Sequence, residues 1–150
     1  GTVTAGNSSQ VTDGGVALLV MTQEGLKKTG ATPIARVCDY AYSGCDPKRM
    51  GLGPVNAINK LSFDLEDADL VEINEAFAAQ VLACLKHLDI PSEKLNVNGG
   101  AIALGHPLAA SGARLVMSAA KQLTYTTKTN AVVSMCVGGG QGGALWMRRV

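Results

Sequence analysis

Residues Val132 to Gly143 read V-V-S-M-C-V-G-G-G-Q-G-G, an apolar, β-branched run that delivers Cys136 onto a bend with five glycines in six positions. The run has strand character, and so has the A-L-W-M-R-R-V that follows from Ala144 to Val150. Gly138, Gly140 and Gly143 also satisfy G-x-G-x-x-G, the pattern of a dinucleotide phosphate loop. That loop requires a helix, a second strand and an acidic ribose partner downstream, and a strand-like segment stands there instead. The glycines are therefore read as a tight, positive-φ connection between two strands that keeps side chains away from whatever approaches Cys136. The alternative is a structural turn with an inert cysteine packed as a small hydrophobe.

Working outward, apolar runs alternate with helix-period segments. Val16 to Met21 is strand-like, and Gln23 to Thr29 is a short helix that stops at Gly30. Ile34 to Tyr42 is a strand, Val55 to Leu61 a brief helix and Leu70 to Ile73 a buried strand. Glu75 to His87 is helical, with Phe77, Val81, Leu82 and Leu85 on its apolar side. Leu95 to Val97 is a short strand and Pro107 to Leu123 a long helix, apolar almost all round and expected to be sandwiched between sheets. Strands separated by helices predict an α/β fold: a mixed, mainly parallel sheet with helices on both faces and a closing antiparallel strand pair.

Composition narrows the function classes. The 13 basic and 12 acidic residues leave a net charge of +1, with no lysine or arginine stripe interleaved with aromatics, so nucleic acid and anionic membrane are excluded as partners. No apolar stretch approaches the ~18 residues of a membrane span. Cys38, Cys45, Cys84 and Cys136 include no C-x-x-C pair, and the chain does not open on a secretion signal. Reduced thiols in a cytoplasm or an organelle matrix are expected.

Two residues and the glycine-bend amides can carry chemistry together with Cys136. His106 precedes Pro107 at the start of the long helix, where free N–H groups and the positive dipole end favour a neutral imidazole. Asn74, where a buried strand becomes a helix, is read either as an N-cap or as a functional amide at a strand end where ligands collect. The amides of the glycine bend can form an oxyanion-binding nest. His87 follows Lys86 and reads as a solvated helix end. No histidine and cysteine spacing suits a metal, and no G-x-S-x-G elbow occurs. A polar orienter, an imidazole, a thiol and a nest of amides suggest acyl or enolate chemistry.

These residues lie in blocks that resemble the thiolase family: N-E-A-F-A at Asn74 to Ala78, N-G-G-A-I-A-L-G-H-P at Asn98 to Pro107 continuing through S-G-A-R at Ser111 to Arg114, and C-V-G-G-G-Q-G at Cys136 to Gly142. The opening G-T-V-T-A-G-N-S-S is similar to the family's substrate loop. Related ketoacyl synthases place a histidine at the position of Asn74 and lack a cysteine at that of Cys136, which favours thiolase.

The resemblance implies a thiolase fold and acyl transfer between a cysteine nucleophile and coenzyme A, cleaving a 3-ketoacyl-CoA or condensing two acyl-CoAs, with acetyl-CoA and CoA as substrates and no tightly bound cofactor. It implies that His106 activates the nucleophile and binds the thioester oxygen, and that Asn74 holds a water in the same oxyanion site. Cys136 is then the acid/base on the α-carbon, with the thiol pKa needing only a modest downward shift, and Gly138 contributes to a second oxyanion hole. Ser9, Ala5 and Gly6 would lie along the pantetheine arm and Phe77 would line its tunnel. Residues 1–30 would close the amino-terminal domain, with Val16 to Met21 an orphan of its sheet, and 31–150 would form the carboxy-terminal domain. The nucleophilic cysteine would come from an amino-terminal half not in this chain, whose whole forms a dimer or tetramer. The chain looks shorter than the family near Lys60-Leu61 and between His87 and Lys94, and Ala109 stands where the family has glycine. An acetoacetyl-CoA enzyme and a noncatalytic acyl-CoA-binding module are the other readings.

Overall fold

The computed structural model describes residues 1–150. A 3-10 turn at Ala5–Asn7 and helix α1 (Gln23–Thr29), closed by Gly30 in the left-handed region, precede strand β1 (Ala35–Gly44). Helix α2 (Gly53–Ile58), strand β2 (Leu70–Ile73), helix α3 (Ala78–Leu85) and the single turn α4 (Ala101–Leu104) follow. The long helix α5 (Leu108–Tyr125) and the hairpin of β3 (Asn130–Val137) and β4 (Gln141–Arg149) complete the chain. No helix is long and apolar enough to cross a membrane.

The strands form one mixed sheet in the order β1-β4-β3-β2. The expected antiparallel closing pair is β3 with β4. β1, β2 and β3 run in one direction and β4 runs against them; because β4 lies between β1 and β3, the one parallel pair of neighbours is β2 with β3, and the β1–β2 connection, through α2, and the β2–β3 connection, through α3 to α5, both join strands of the same direction.

Both faces are covered, and strand alternation decides which side chain goes where. Val71, Ile73, Val132, Ala144 and Trp146 pack with Val55, Ile58 and Val81 of α2 and α3. Leu70, Ala131, Val133 and Met147 pack with Leu115, Ala119 and Leu123 of α5. β2 is buried at every position, so its apolar residues Leu70, Val71 and Ile73 do not alternate with solvent-facing ones, and Glu72 between them is buried as well.

Several expectations are corrected here. Only Ser111, Leu115, Ala119 and Leu123, one residue per turn, are fully buried along α5, so the helix is covered on one stripe, by the one sheet the chain contains. Ala109 is exposed, so its methyl crowds nothing. Val16 to Met21, expected as a strand orphaned from its sheet, has no ladder partner and is not a strand; Leu19 and Val20 are 83% and 79% exposed. Leu95 to Val97 shrinks to one bridge between Leu95 and Val71. α3 begins at Ala78 because Phe77 is held extended by a bridge to Ser8, and Gln80 rather than Leu82 is buried on it.

The glycine bend carries positive φ at Gly139 and Gly140, both 89°. Where β4 crosses the start of α2, the backbones of Gly142 and Gly53 touch so closely that a Cβ on either would enter the other's main chain. A methyl there has no flexible neighbour to displace. Gly142→Ala is therefore expected to cost about 3 kcal/mol and lower Tm by roughly 6 to 12 °C, read by thermal unfolding.

Candidate functional site

The parallel pair β2 and β3 ends at Ile73 opposite Ser134, and the next residue, Asn74, donates its N–H to the Ser134 carbonyl at 3.0 Å. Strand ends of this kind, with a following helix, leave a crevice in which ligands bind. Asn74 is completely buried and does not cap α3; its Nδ2 lies 3.3 Å from Nε2 of His106, while its Oδ1 has no partner in the chain. A buried amide oxygen left so costs about 1–3 kcal/mol unless water or a ligand reaches it.

His106 stands between α4 and α5, after Gly105 at φ 100° and before Pro107, which is the N-cap of α5 rather than its first residue. Its N–H donates to the Gln10 carbonyl at 3.0 Å. Its Nδ1 lies 2.6 Å from Oγ of Ser111, whose hydroxyl in turn reaches the Pro107 carbonyl at 3.0 Å. Burial, and then the Arg114 guanidinium one turn along α5, hold the imidazole below its ordinary pKa, so it is neutral at pH 7. The neutral form was expected from the helix terminus; desolvation is the larger cause.

Two residues that the sequence reading did not single out hold this arrangement. Asn96, at φ 44°, donates its N–H to the Val71 carbonyl at 2.9 Å, and its side chain pairs with both backbone groups of Ile73: Oδ1 accepts from the N–H at 2.9 Å and Nδ2 donates to the carbonyl at 3.0 Å. Nδ2 also donates to Oε1 of Glu75 at 3.1 Å, and Oε2 of Glu75 accepts from the Ile102 N–H at 3.3 Å. Gly100 lies against that carboxylate, where a Cβ would collide with it. The strand-end turn bearing Asn74 is thus tied to the loop bearing His106. Asn98, by contrast, donates to Gln122 at 3.0 Å on the surface.

Cys136 lies at the same end of the sheet but makes no hydrogen bond to His106 or Asn74. Alternation from Val132 turns it toward α2 and α3, and burial pushes its thiol up, with Cys45 adding in the same direction. The expected downward shift is therefore not found: the thiol is protonated at neutral pH because it is desolvated without a cation beside it. Gly138, the next residue but one, is exposed at the tip of the bend.

The opening segment runs past the site. Ser8 bridges Phe77, and the Ser9 N–H donates to the Ala76 carbonyl at 2.9 Å, so Ser9 and Phe77 come together beside Asn74. Ala5 and Gly6 form an exposed 3-10 turn just before them. His87 is exposed, as its position after Lys86 suggested. No group of three or more His, Cys, Asp or Glu side chains is placed to hold a metal ion.

A family model described as thiolase, C-terminal domain, matches residues 31–149. The chain belongs to the thiolase family. Among thiolases, it is 52% identical to the mitochondrial 3-ketoacyl-CoA thiolase of Bos taurus over 95% of this chain and 37% of that protein. It is 49% identical to the acetyl-CoA acetyltransferase of Escherichia coli over 100% of this chain and 39% of that one. The crystal structure of human mitochondrial 3-ketoacyl-CoA thiolase in complex with CoA superposes with a TM-score of 0.97 at 48% identity, over 99% of this chain and 39% of its own. The chain thus spans less than two-fifths of the length of these thiolases.

Beneath the site, Glu72 on β2 is 3% exposed, and its Oε2 has no partner. Burial pushes its pKa up from 4.5 to about 7, against the pull of Arg114 and with a push from Glu75. A carboxyl whose folded pKa is raised binds its proton more tightly when folded, so its stabilising contribution is complete below 4.5 and is lost as pH rises through about 7. His106 acts in the opposite sense below 6.5. Urea unfolding at pH values from 4.5 to 8 is therefore expected to give a stability difference between Glu72→Gln and wild type that grows in favour of the variant as pH rises.

Proposed function

We propose that this chain is the carboxy-terminal part of an acyl-CoA thiolase that cleaves 3-ketoacyl-CoA with CoA, or in reverse condenses two acyl-CoAs. The observation that carries the reading is the buried pair of Asn74 and neutral His106, 3.3 Å apart at a parallel strand end, in a chain of the thiolase family. The similarity to an acetyl-CoA acetyltransferase supports an acetoacetyl-CoA enzyme as the second reading.

In the cleavage direction, a cysteine thiol supplied from outside this chain gives its proton to His106, and the thiolate attacks C3 of the substrate. The tetrahedral alkoxide rests on the N–H of Gly138. Its collapse breaks the C2–C3 bond, and the electron pair passes to the thioester carbonyl as an enolate. The proton now on His106 and a water held by Asn74 stabilise that oxygen. A preformed donor of this kind is worth about 2.7–4 kcal/mol of barrier. Cys136, protonated because it is desolvated, then delivers its proton to C2, releasing acetyl-CoA. The thiol of a second CoA gives its proton to the Cys136 thiolate and attacks the acyl group; the acyl–cysteine bond breaks, and the departing nucleophile thiolate takes back the proton held by His106.

Ser9 with Ala5 and Gly6, and Phe77 across from them, would line the path of the pantetheine arm. The nearness of Ser9 and Phe77 to Asn74 supports this. Residues 1–30 are assigned to the end of the preceding domain and 31–150 to the carboxy-terminal domain, in keeping with a family match that begins at residue 31. The complete protein is proposed to be a dimer or tetramer of a cytoplasm or organelle matrix.

Thiolytic cleavage of acetoacetyl-CoA and of longer 3-ketoacyl-CoAs by the full-length protein tests the reading. His106→Ala and Cys136→Ala are each expected to lower kcat by roughly 10²- to 10³-fold. Full activity in Cys136→Ser would remove the role given to Cys136. Calorimetric binding of CoA with no turnover would leave the noncatalytic acyl-CoA-binding reading in its place.

A further inference from the structure

We propose that Ser111 is a positioning residue that locks His106 in its Nδ1–H tautomer, leaving Nε2, the nitrogen facing Asn74, as the only basic nitrogen the ring presents. Asn74 Nδ2, His106 and Ser111 form a hydrogen-bonded chain that runs in one direction only. In the proposed arrangement the single proton of the Ser111 hydroxyl goes to the Pro107 carbonyl one turn back, which lies at 3.0 Å. Oγ therefore meets Nδ1 as an acceptor across 2.6 Å, and Nδ1 must hold the ring proton. Nε2 is then a lone pair, and it accepts from the Asn74 amide at 3.3 Å. The opposite tautomer would set an N–H against an N–H at Asn74 and leave Nδ1 bare against an oxygen whose proton is already engaged.

Burial gives the lock its strength. Ser111 and Asn74 are both completely buried, so bulk solvent does not draw either partner away from the ring. The first turn of α5 pins Oγ, and the β2–α3 turn pins the amide. Flipping the ring by 180° would break both bonds at once. The family blocks read from the sequence include Ser111, but nothing in its spacing assigns it this partner.

The effect on rate rests on the proposed thiolase reading; the tautomer does not, and the experiment separates them. The full-length protein is labelled with 15N-histidine, and the His106 resonances are assigned by their loss in His106→Asn. The expected spectrum has one protonated nitrogen, Nδ1, and one bare nitrogen, Nε2. Ser111→Ala is expected to give mixed tautomers and to lower kcat by roughly 10- to 100-fold, the loss seen when a group that orients an imidazole is removed. KM should stay within about twofold, and Ser111→Thr, which restores the hydroxyl, should recover most of kcat.

An Nε2–H tautomer in the wild-type protein overturns the proposal without any variant having to fold. So does a Ser111→Ala protein with the wild-type spectrum and kcat, or one whose only change is a lower Tm. If the spectra behave as expected while no form turns over a 3-ketoacyl-CoA, the lock stands and the thiolase reading falls.

Discussion

The pairing of the Asn96 side chain with both backbone groups of Ile73 is the interaction on which the site depends. β2 is a four-residue edge strand, and on its outer side no strand offers a partner to the residue just before Asn74. A buried N–H and carbonyl there would each need a partner. One carboxamide supplies both, and a second bond from the same amide carries the restraint to Glu75 and so to the loop of His106. The 3.3 Å approach of Asn74 and His106, which stand 32 residues apart, is set from outside the pair.

Much of the fold could be read from residue pattern because its cause is local. Leu70, Val71 and Ile73 are apolar, and the whole of Leu70 to Ile73 is buried, Glu72 included. The glycines after Cys136 turn the chain with positive φ at two of them, and Gly30 ends α1 in the left-handed region where a glycine was the stop signal. What escaped the pattern is what depends on a second segment. Val16 to Met21 has a strand's residues and no neighbour to pair with. Leu95 to Val97 has a neighbour but gives way to Asn96, whose side chain takes over the ladder. Which strands lie side by side also depends on a second segment: β1 runs with β2 and β3, but its place is beside β4, so it pairs antiparallel.

The site was legible to the same degree. Asn74, His106, Cys136 and Gly138 stood out as residue types with chemistry, and the family blocks contained them. Their relations did not stand out: whether Asn74 caps a helix or faces an imidazole is decided by a histidine far along the chain, and the protonation of Cys136 by how much of its surroundings is apolar. Glu75 and Asn96, which touch no reacting atom, carried no signal beyond their places in N-E-A-F and N-x-N-G-G.

The exposed run from Ala17 to Met21 has a consequence for handling the chain. It is apolar, uncharged, free of proline and unpaired, with its backbone groups open to solvent. Such a segment is a template for strand addition between molecules. Beside its packed, two-faced sheet the chain thus carries a strip of apolar, unpaired backbone to which a second extended segment can add.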